Sequence, residues 1–252
     1  MTLDGTELKD WGLYVHKIDG QYNMPARLGQ YIYDWGDTYE ALFGVDMAWA
    51  QRTFVVHAVF DPSRQTITTT LDAWVQNYKS AATHTLVFSD ATGGVGTHTV
   101  YLSAVRNHIP YKGGKAKVQL VFIEPLPAFG GVIPANQTDT LTIDGKGLNA
   151  FNCVLSRFSV SNLGVALTSQ QTVFNTAPNA RALRQLTAVT ATVYCKGNVL
   201  VNLSNLHKTL AQEKVLPIVY GSISFNAICA SGFQVQTVGR DAAKFNLQLL
   251  RI

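Results

Sequence analysis

Four carboxylates crowd the stretch around Tyr33-Asp34-Trp35-Gly36-Asp37-Thr38-Tyr39-Glu40: Asp34, Asp37, Glu40 and, slightly further on, Asp46. Such a group could serve as a paired-carboxylate acid/base or could ligate Ca²⁺. The EF-hand spacing is absent, so a solvated loop with aromatic anchors is the reading preferred over a site. Six histidines offer ring nitrogens: His16, His57, His84, His98, His108 and His207. Only His98 and His108 are near each other in sequence, and their separation matches no metal-ligand spacing on one strand or helix. His57 lies within an apolar strand pattern, where a structural, hydrogen-bonded histidine is expected. Gly93-Gly94-Val95-Gly96 is glycine-rich, but no Lys-Ser/Thr and no helix follows to hold a phosphate, so it reads as a hairpin tip. Cys153, Cys195 and Cys229 are far apart and odd in number, which indicates neither a disulfide framework nor a zinc site. Each is expected to be a small buried hydrophobe. No nucleophile-elbow or zincin signature occurs. The residues therefore predict no catalytic site, no metal and no cofactor.

Composition gives a second constraint. Hydrophobic residues make up 47% of the 252, enough for real cores. Charged residues are only 14%, where about 25% is typical. A chain short of surface charge is expected to cover part of its surface with other subunits, since interface cores are depleted of charge. A monomer surfaced with Thr, Ser, Asn and Gln is the alternative. Net charge is +4. Lys112, Lys115 and Lys117 flank Gly113-Gly114, a spacing that a hairpin tip explains as well as a phosphate contact does. The opening Met1-Thr2-Leu3-Asp4-Gly5 lacks a basic n-region and an apolar core, so no leader is expected. No apolar run reaches membrane-spanning length. A chain made in a reducing cytoplasm is the expectation.

The elements that would carry such residues repeat. Leu3-Asp4-Gly5, Leu8, Trp11 and Leu13-Tyr14-Val15 match Ile143-Asp144-Gly145, Leu148, Phe151 and Cys153-Val154-Leu155, each pair 140 positions apart. The strand-like run 53–60 aligns with 187–194. Leu71 to Val75, leading to Leu86-Val87-Phe88, aligns with Leu203 to His207, leading to Ile218-Val219-Tyr220. An Asp or Ser stands there as a helix N-cap. Trp74, Val75 and Tyr78 in one copy, and Leu206 and Leu210 in the other, share a helix face. Helices are predicted near 71–82 and 203–213. The run 99–105 aligns with 222–228, and the closing strands are 118–122 and 245–250. Between the copies, Glu124-Pro125-Leu126-Pro127-Ala128-Phe129-Gly130-Gly131-Val132-Ile133-Pro134 cannot continue a central strand. The prediction is a mainly β chain: module 1 over 1–124, a Pro/Gly-rich connector over 125–138, and module 2 over 139–252.

These residues carry a resemblance. Asp4-Gly5, Leu8, Trp11-Gly12, Leu13-Tyr14-Val15, the segment Met24-Pro25-Ala26-Arg27-Leu28-Gly29 and the strand Arg52-Thr53-Phe54-Val55-Val56-His57-Ala58 resemble the start of distal tail proteins of long-tailed bacteriophages. It covers the first copy well. The second has Asn152 in place of Gly12 and lacks the Pro-Ala-Arg-Leu-Gly segment. The resemblance implies tandem tail-tube-like β-sandwich or barrel modules, each with one short helix, in a tail hub or distal tail protein of the virion. It implies a ring around the channel through which genomic DNA passes without specific binding, assembled in the bacterial cytoplasm. Implied partners are the chain itself, the tail tube protein, and tail-tip, hub or receptor-binding proteins, with no membrane. Duplication favours a homotrimer of pseudo-sixfold symmetry over a homohexamer. Arg27, Tyr31, Tyr33 and Trp35 are the expected protein–protein contacts. The alternative is a carbohydrate- or host-surface-binding β-sandwich that uses Tyr31, Tyr33, Trp35 and Tyr39 as an aromatic platform.

Overall fold

The computed structural model describes the backbone of all residues except 29–31, 35–38, 42–47, 80–81, 90–94, 164–166, 171–178, 183–185 and 240, and the side chains outside these and outside 29–47 and 161–187. The chain is mainly β. In the first half the elements are β1 (Thr2–Leu3), β2 (Thr6–Glu7), β3 (Leu13–Asp19), β4 (Arg27–Leu28), β5 (Ile32–Asp34), β6 (Tyr39–Ala41), β7 (Ala48–Trp49), β8 (Arg52–Phe60), α1 (Leu71–Tyr78), β9 (His84–Ser89), β10 (Val95–Pro110) and β11 (Ala116–Glu124). The second half has β12 (Leu141–Ile143), β13 (Lys146–Gly147), β14 (Cys153–Leu163), β15 (Leu167–Gln170), β16 (Asn179–Ala182), β17 (Leu186–Lys196), α2 (Val199–Leu210), β18 (Leu216–Tyr220), β19 (Ile223–Ile228), β20 (Val235–Thr237) and β21 (Ala242–Arg251). No strand interrupts the Pro/Gly stretch between β11 and β12.

The main sheet of the first half has the order β2-β1-β9-β10-β11-β8-β3, and that of the second β13-β12-β18-β19-β21-β17-β14, with β20 added beside β21. Substituting each strand by its sequence counterpart turns one order into the other. Local details repeat too. Asp4-Gly5 and Asp144-Gly145 all have positive φ, the conformation of the tightest hairpin turn. Each turn leads into a single 3-10 turn, Leu8–Trp11 or Leu148–Phe151, closed by a left-handed residue. That residue is Gly12 in one half and Asn152 in the other; asparagine is among the few residues that tolerate this backbone. A bulge follows in the same place, between Val15 and Lys17 and between Leu155 and Arg157. Each sheet curls until distant strands meet: Phe54 of β8 touches Phe88 of β9 at 5.4 Å between ring centres, and Phe158 of β14 stacks on Tyr220 of β18 at 4.0 Å.

Register departs from the sequence alignment in two places. Leu13 pairs with Phe60 and Cys153 with Cys195, so Phe60 corresponds to Cys195 and not to Tyr194. Burial agrees: Phe54, Val56 and Ala58 face the core in β8, as do Val189, Ala191 and Val193 in β17. With a side-chain period of two, the one-residue slip had placed the wrong face inward. Likewise His98 pairs with Leu86 and Phe225 with Ile218, which shifts the 99–105 alignment by four positions. The helices also differ. α1 is capped by Thr70, whose hydroxyl accepts from the Ala73 N–H at 3.2 Å, not by Asp72. α2 begins a turn earlier than predicted, at Val199, because Val199 and Leu200 add to the buried stripe of Leu203, Leu206 and Leu210.

Candidate functional site: the seam between the halves

The strongest concentration of buried polar chemistry lies where the two halves meet. Arg27, on β4, is only 6% exposed. Its Nε donates to the Cys229 carbonyl at 3.1 Å, and its Nη2 donates to the carbonyls of Gln212 at 3.1 Å and Leu210 at 3.4 Å. Leu210 is the last residue of α2, so the guanidinium meets carbonyls left without helical partners and the negative end of the helix dipole. The Trp49 ring covers the cation, 4.2 Å from ring centre to guanidinium carbon. Arg27, expected at a contact with another protein, thus spends its donors on its own chain. Burial lowers its pKa, though a guanidinium stays charged throughout the accessible range.

Beside this strut, Met24 and Phe233 exchange two backbone hydrogen bonds of 2.9 Å, and the Arg27 N–H donates to Ala230 O at 2.8 Å. Gly232 makes the approach possible. A Cβ there would stand 2.1 Å from the Met24 carbonyl oxygen.

A second buried group sits on the same seam. Glu124, at the end of β11, is 1% exposed, and Arg52 and His98 are 6% and 8% exposed. Arg52 Nη1 lies 3.4 Å from Glu124 Oε2, and His98 Nδ1 lies 3.1 Å from Oε1. His98 Nδ1 is also 3.4 Å from Arg52 Nη1. The shorter contact assigns the Nδ1 proton to a bond with the carboxylate. The Arg52 cation faces the Phe129 ring of the connector at 5.5 Å, and Phe129 packs edge-on against Trp49. Burial pulls the Arg52 pKa down and Glu124 opposes that pull. From the other side comes His207 of α2, packed on Phe233. Burial, then the charge of Arg52 and the neighbouring His98, hold its pKa down at about 3, so it is neutral. A cavity of about 160 Å³ separates the His98 side from α2 and is lined by Arg52, His98, Phe129, Asn205 and His207. The connector is pinned across it by the Val132 N–H, which donates to Asn205 Oδ1 at 2.7 Å.

What can this arrangement do? The Arg52–Glu124 ion pair and the carbonyl-bonded Arg27 are almost fully buried, which suits a joint that fixes two modules in one orientation. Among the described residues no group of three His, Cys, Asp or Glu is placed to hold a metal ion. His57, expected to be structural, bonds Asp19 at 2.8 Å and Gln119 at 3.3 Å. Lys115 of the β10–β11 turn pairs with Asp61 at 2.8 Å, as a hairpin tip allows. Tyr31 and Trp35 lie outside the described residues. So do the side chains of Tyr33, Asp34, Asp37, Tyr39, Glu40 and Asp46, although Tyr33 and Glu40 are paired in the β5–β6 hairpin. Sequence reasoning missed Arg52, Glu124 and His207. The signal available was two ionisable residues, Arg52 and Glu124, bounding otherwise apolar strands. No helix among the described residues is long and apolar enough to cross a membrane. No family model matches the chain, and no similar curated protein or solved structure was found.

Proposed function

We propose that this chain is a structural ring component of a long-tailed phage tail tip, a distal tail or hub protein, and not an enzyme. The observation that carries the reading is the repetition of one strand order in two halves locked by a buried seam. A locked pair of like modules is a unit from which closed rings can be built with half the number of chains. The charge content of 14% fits a surface finished by neighbouring subunits. Among the described residues β3 and β14 are the outer strands of their sheets, and an outer strand favours pairing with another chain. The ring surrounds the DNA channel and joins the tail tube protein to tip or receptor-binding proteins.

The stoichiometry proposed is a homotrimer with pseudo-sixfold symmetry. Light scattering and electron micrographs of the purified chain test both statements. At 27.5 kDa per chain, three chains give about 82 kDa and six about 165 kDa. A ring at the smaller mass supports the full proposal. A true sixfold ring at the larger mass replaces the trimer and retains the ring. A species that stays monomeric at every concentration, above all one that binds glycans, overturns the ring.

A further inference from the structure

Cys153 and Cys195 are distant in sequence but directly opposite each other on β14 and β17. The Lys196 N–H donates to the Asn152 carbonyl at 3.0 Å, one residue outside the pair on each strand. A bond between flanking residues marks a non-hydrogen-bonded pair, whose Cα atoms stand about 4.5 Å apart. Disulfides span Cα separations of about 4.4–6.8 Å. Both side chains point inward, 2% and 0% exposed. Cys195 Sγ donates to the Phe151 carbonyl at 3.7 Å. Both are free thiols in the structure.

The first half supplies a comparison. Its equivalent pair is Leu13 and Phe60, in the same register and with the same flanking bond, Asp61 N–H to Gly12 O at 2.8 Å. The fold is thus satisfied at this point by two ordinary hydrophobic residues. Nothing in the packing of the repeated sheet calls for paired thiols, yet the second half has them. The neighbourhood also differentiates the two sulfurs. Interaction with Cys153 holds the Cys195 thiol below its ordinary pKa against the opposing effect of burial, with Asn202 of α2 adding to the lowering. Interaction with Cys195 and burial push Cys153 up.

We propose that Cys153 and Cys195 form a redox clasp, a dithiol that a small peroxide converts to a cross-strand disulfide fastening the outer strand β14 to the sheet. Cys195 thiolate attacks one peroxide oxygen; the O–O bond breaks and hydroxide leaves, giving a sulfenic acid. Cys153, losing its proton, attacks that sulfur and displaces the second hydroxide. Two thiols and one hydrogen peroxide become one disulfide and two waters, and the two electrons go to the peroxide. The clasp stays open where the chain is made in a reducing compartment and closes once the chain reaches an oxidising medium. It stands independently of the ring proposal.

The test treats the full-length folded chain with hydrogen peroxide, alkylates the remaining thiols, and reads intact mass, peptide map and thermal unfolding. Expected are a loss of about 2 Da before alkylation, one cross-link joining Cys153 to Cys195, and an alkylated Cys229. Closing the loop from residue 153 to residue 195 is expected to raise Tm by roughly 5–10 °C, reversed by dithiothreitol. Cys229→Ala should keep the cross-link and Cys195→Ser should abolish it while remaining folded. Free thiols after exposure, a sulfinic acid on Cys195, a cross-link through Cys229, or an unchanged Tm would each overturn the clasp.

Discussion

Replacing Gly232 by alanine should pull the two halves apart at a single point. The added Cβ would lie 2.1 Å from Met24 O, 2.4 Å from the Pro25 carbonyl carbon and 2.6 Å from Ala26 N. All three are backbone atoms, so no side chain can swing aside. Carbon–oxygen contacts settle at about 3.3–3.6 Å, so the strands must part by about 1 Å. That displacement breaks the reciprocal Met24–Phe233 bonds of 2.9 Å and strains the Arg27 N–H bond to Ala230 O at 2.8 Å. At about 1 kcal/mol for each of these hydrogen bonds, the loss is about 3 kcal/mol. For a chain of this size the corresponding fall in Tm is roughly 6–12 °C. Denaturant and thermal unfolding followed by circular dichroism measure it, and separation of one transition into two would show the halves uncoupling. Gly130→Ala is the control, because a Cβ there meets nothing within 4 Å and its φ is unexceptional; its effect should stay within about 0.5 kcal/mol. If Gly232→Ala matched that control, the tight seam would not be what holds the modules together.

Other perturbations probe the same joint. Glu124→Ala leaves the Arg52 cation buried beside an empty site and should cost about 3–5 kcal/mol, whereas the double change Arg52→Met with Glu124→Leu should restore most of it in urea titrations. His207 binds a proton in the unfolded chain near its ordinary value of 6.5 but only near about 3 when folded. Its contribution is therefore full above pH 6.5 and falls as pH drops toward 3, by about 2 kcal/mol at pH 5. His207→Gln should flatten stability against pH in that window, and an unchanged acid slope would refute the assignment. Arg27→Ala should lose about 3 kcal/mol, and Arg27→Lys should recover less than half, because an ammonium cannot span three carbonyls held by a planar fork; equal stability of the lysine variant would show that charge alone suffices.

The sequence by itself determined what short-range spacing can encode. Alternating β-branched runs gave the strands, and Asp4-Gly5 and Asp144-Gly145 gave the turns, because both local periods and left-handed turn positions depend only on neighbouring residues. The recurrence of one order of strands and helix was visible for the same reason. Pairing was not. The slip between Phe60 and Cys195 arose because an alternating strand reads equally well on either face until a partner fixes it. The start of α2 was missed because Val199 and Leu200 become helical through burial against the sheet, not through a capping signal; Asn198 makes no side-chain cap bond. Arg27 looked like a surface contact in a Pro-Ala-Arg-Leu-Gly loop, and only tertiary structure brought it to carbonyls at 210, 212 and 229. Glu124 read as the first residue of a connector, yet the fold closes Arg52 and His98 around it. The two cysteines counted as isolated because distance along the chain carries no information about position across a ladder. Contacts between residues far apart in sequence are set by the register and packing of whole sheets, and that information exists only once the sheets have formed.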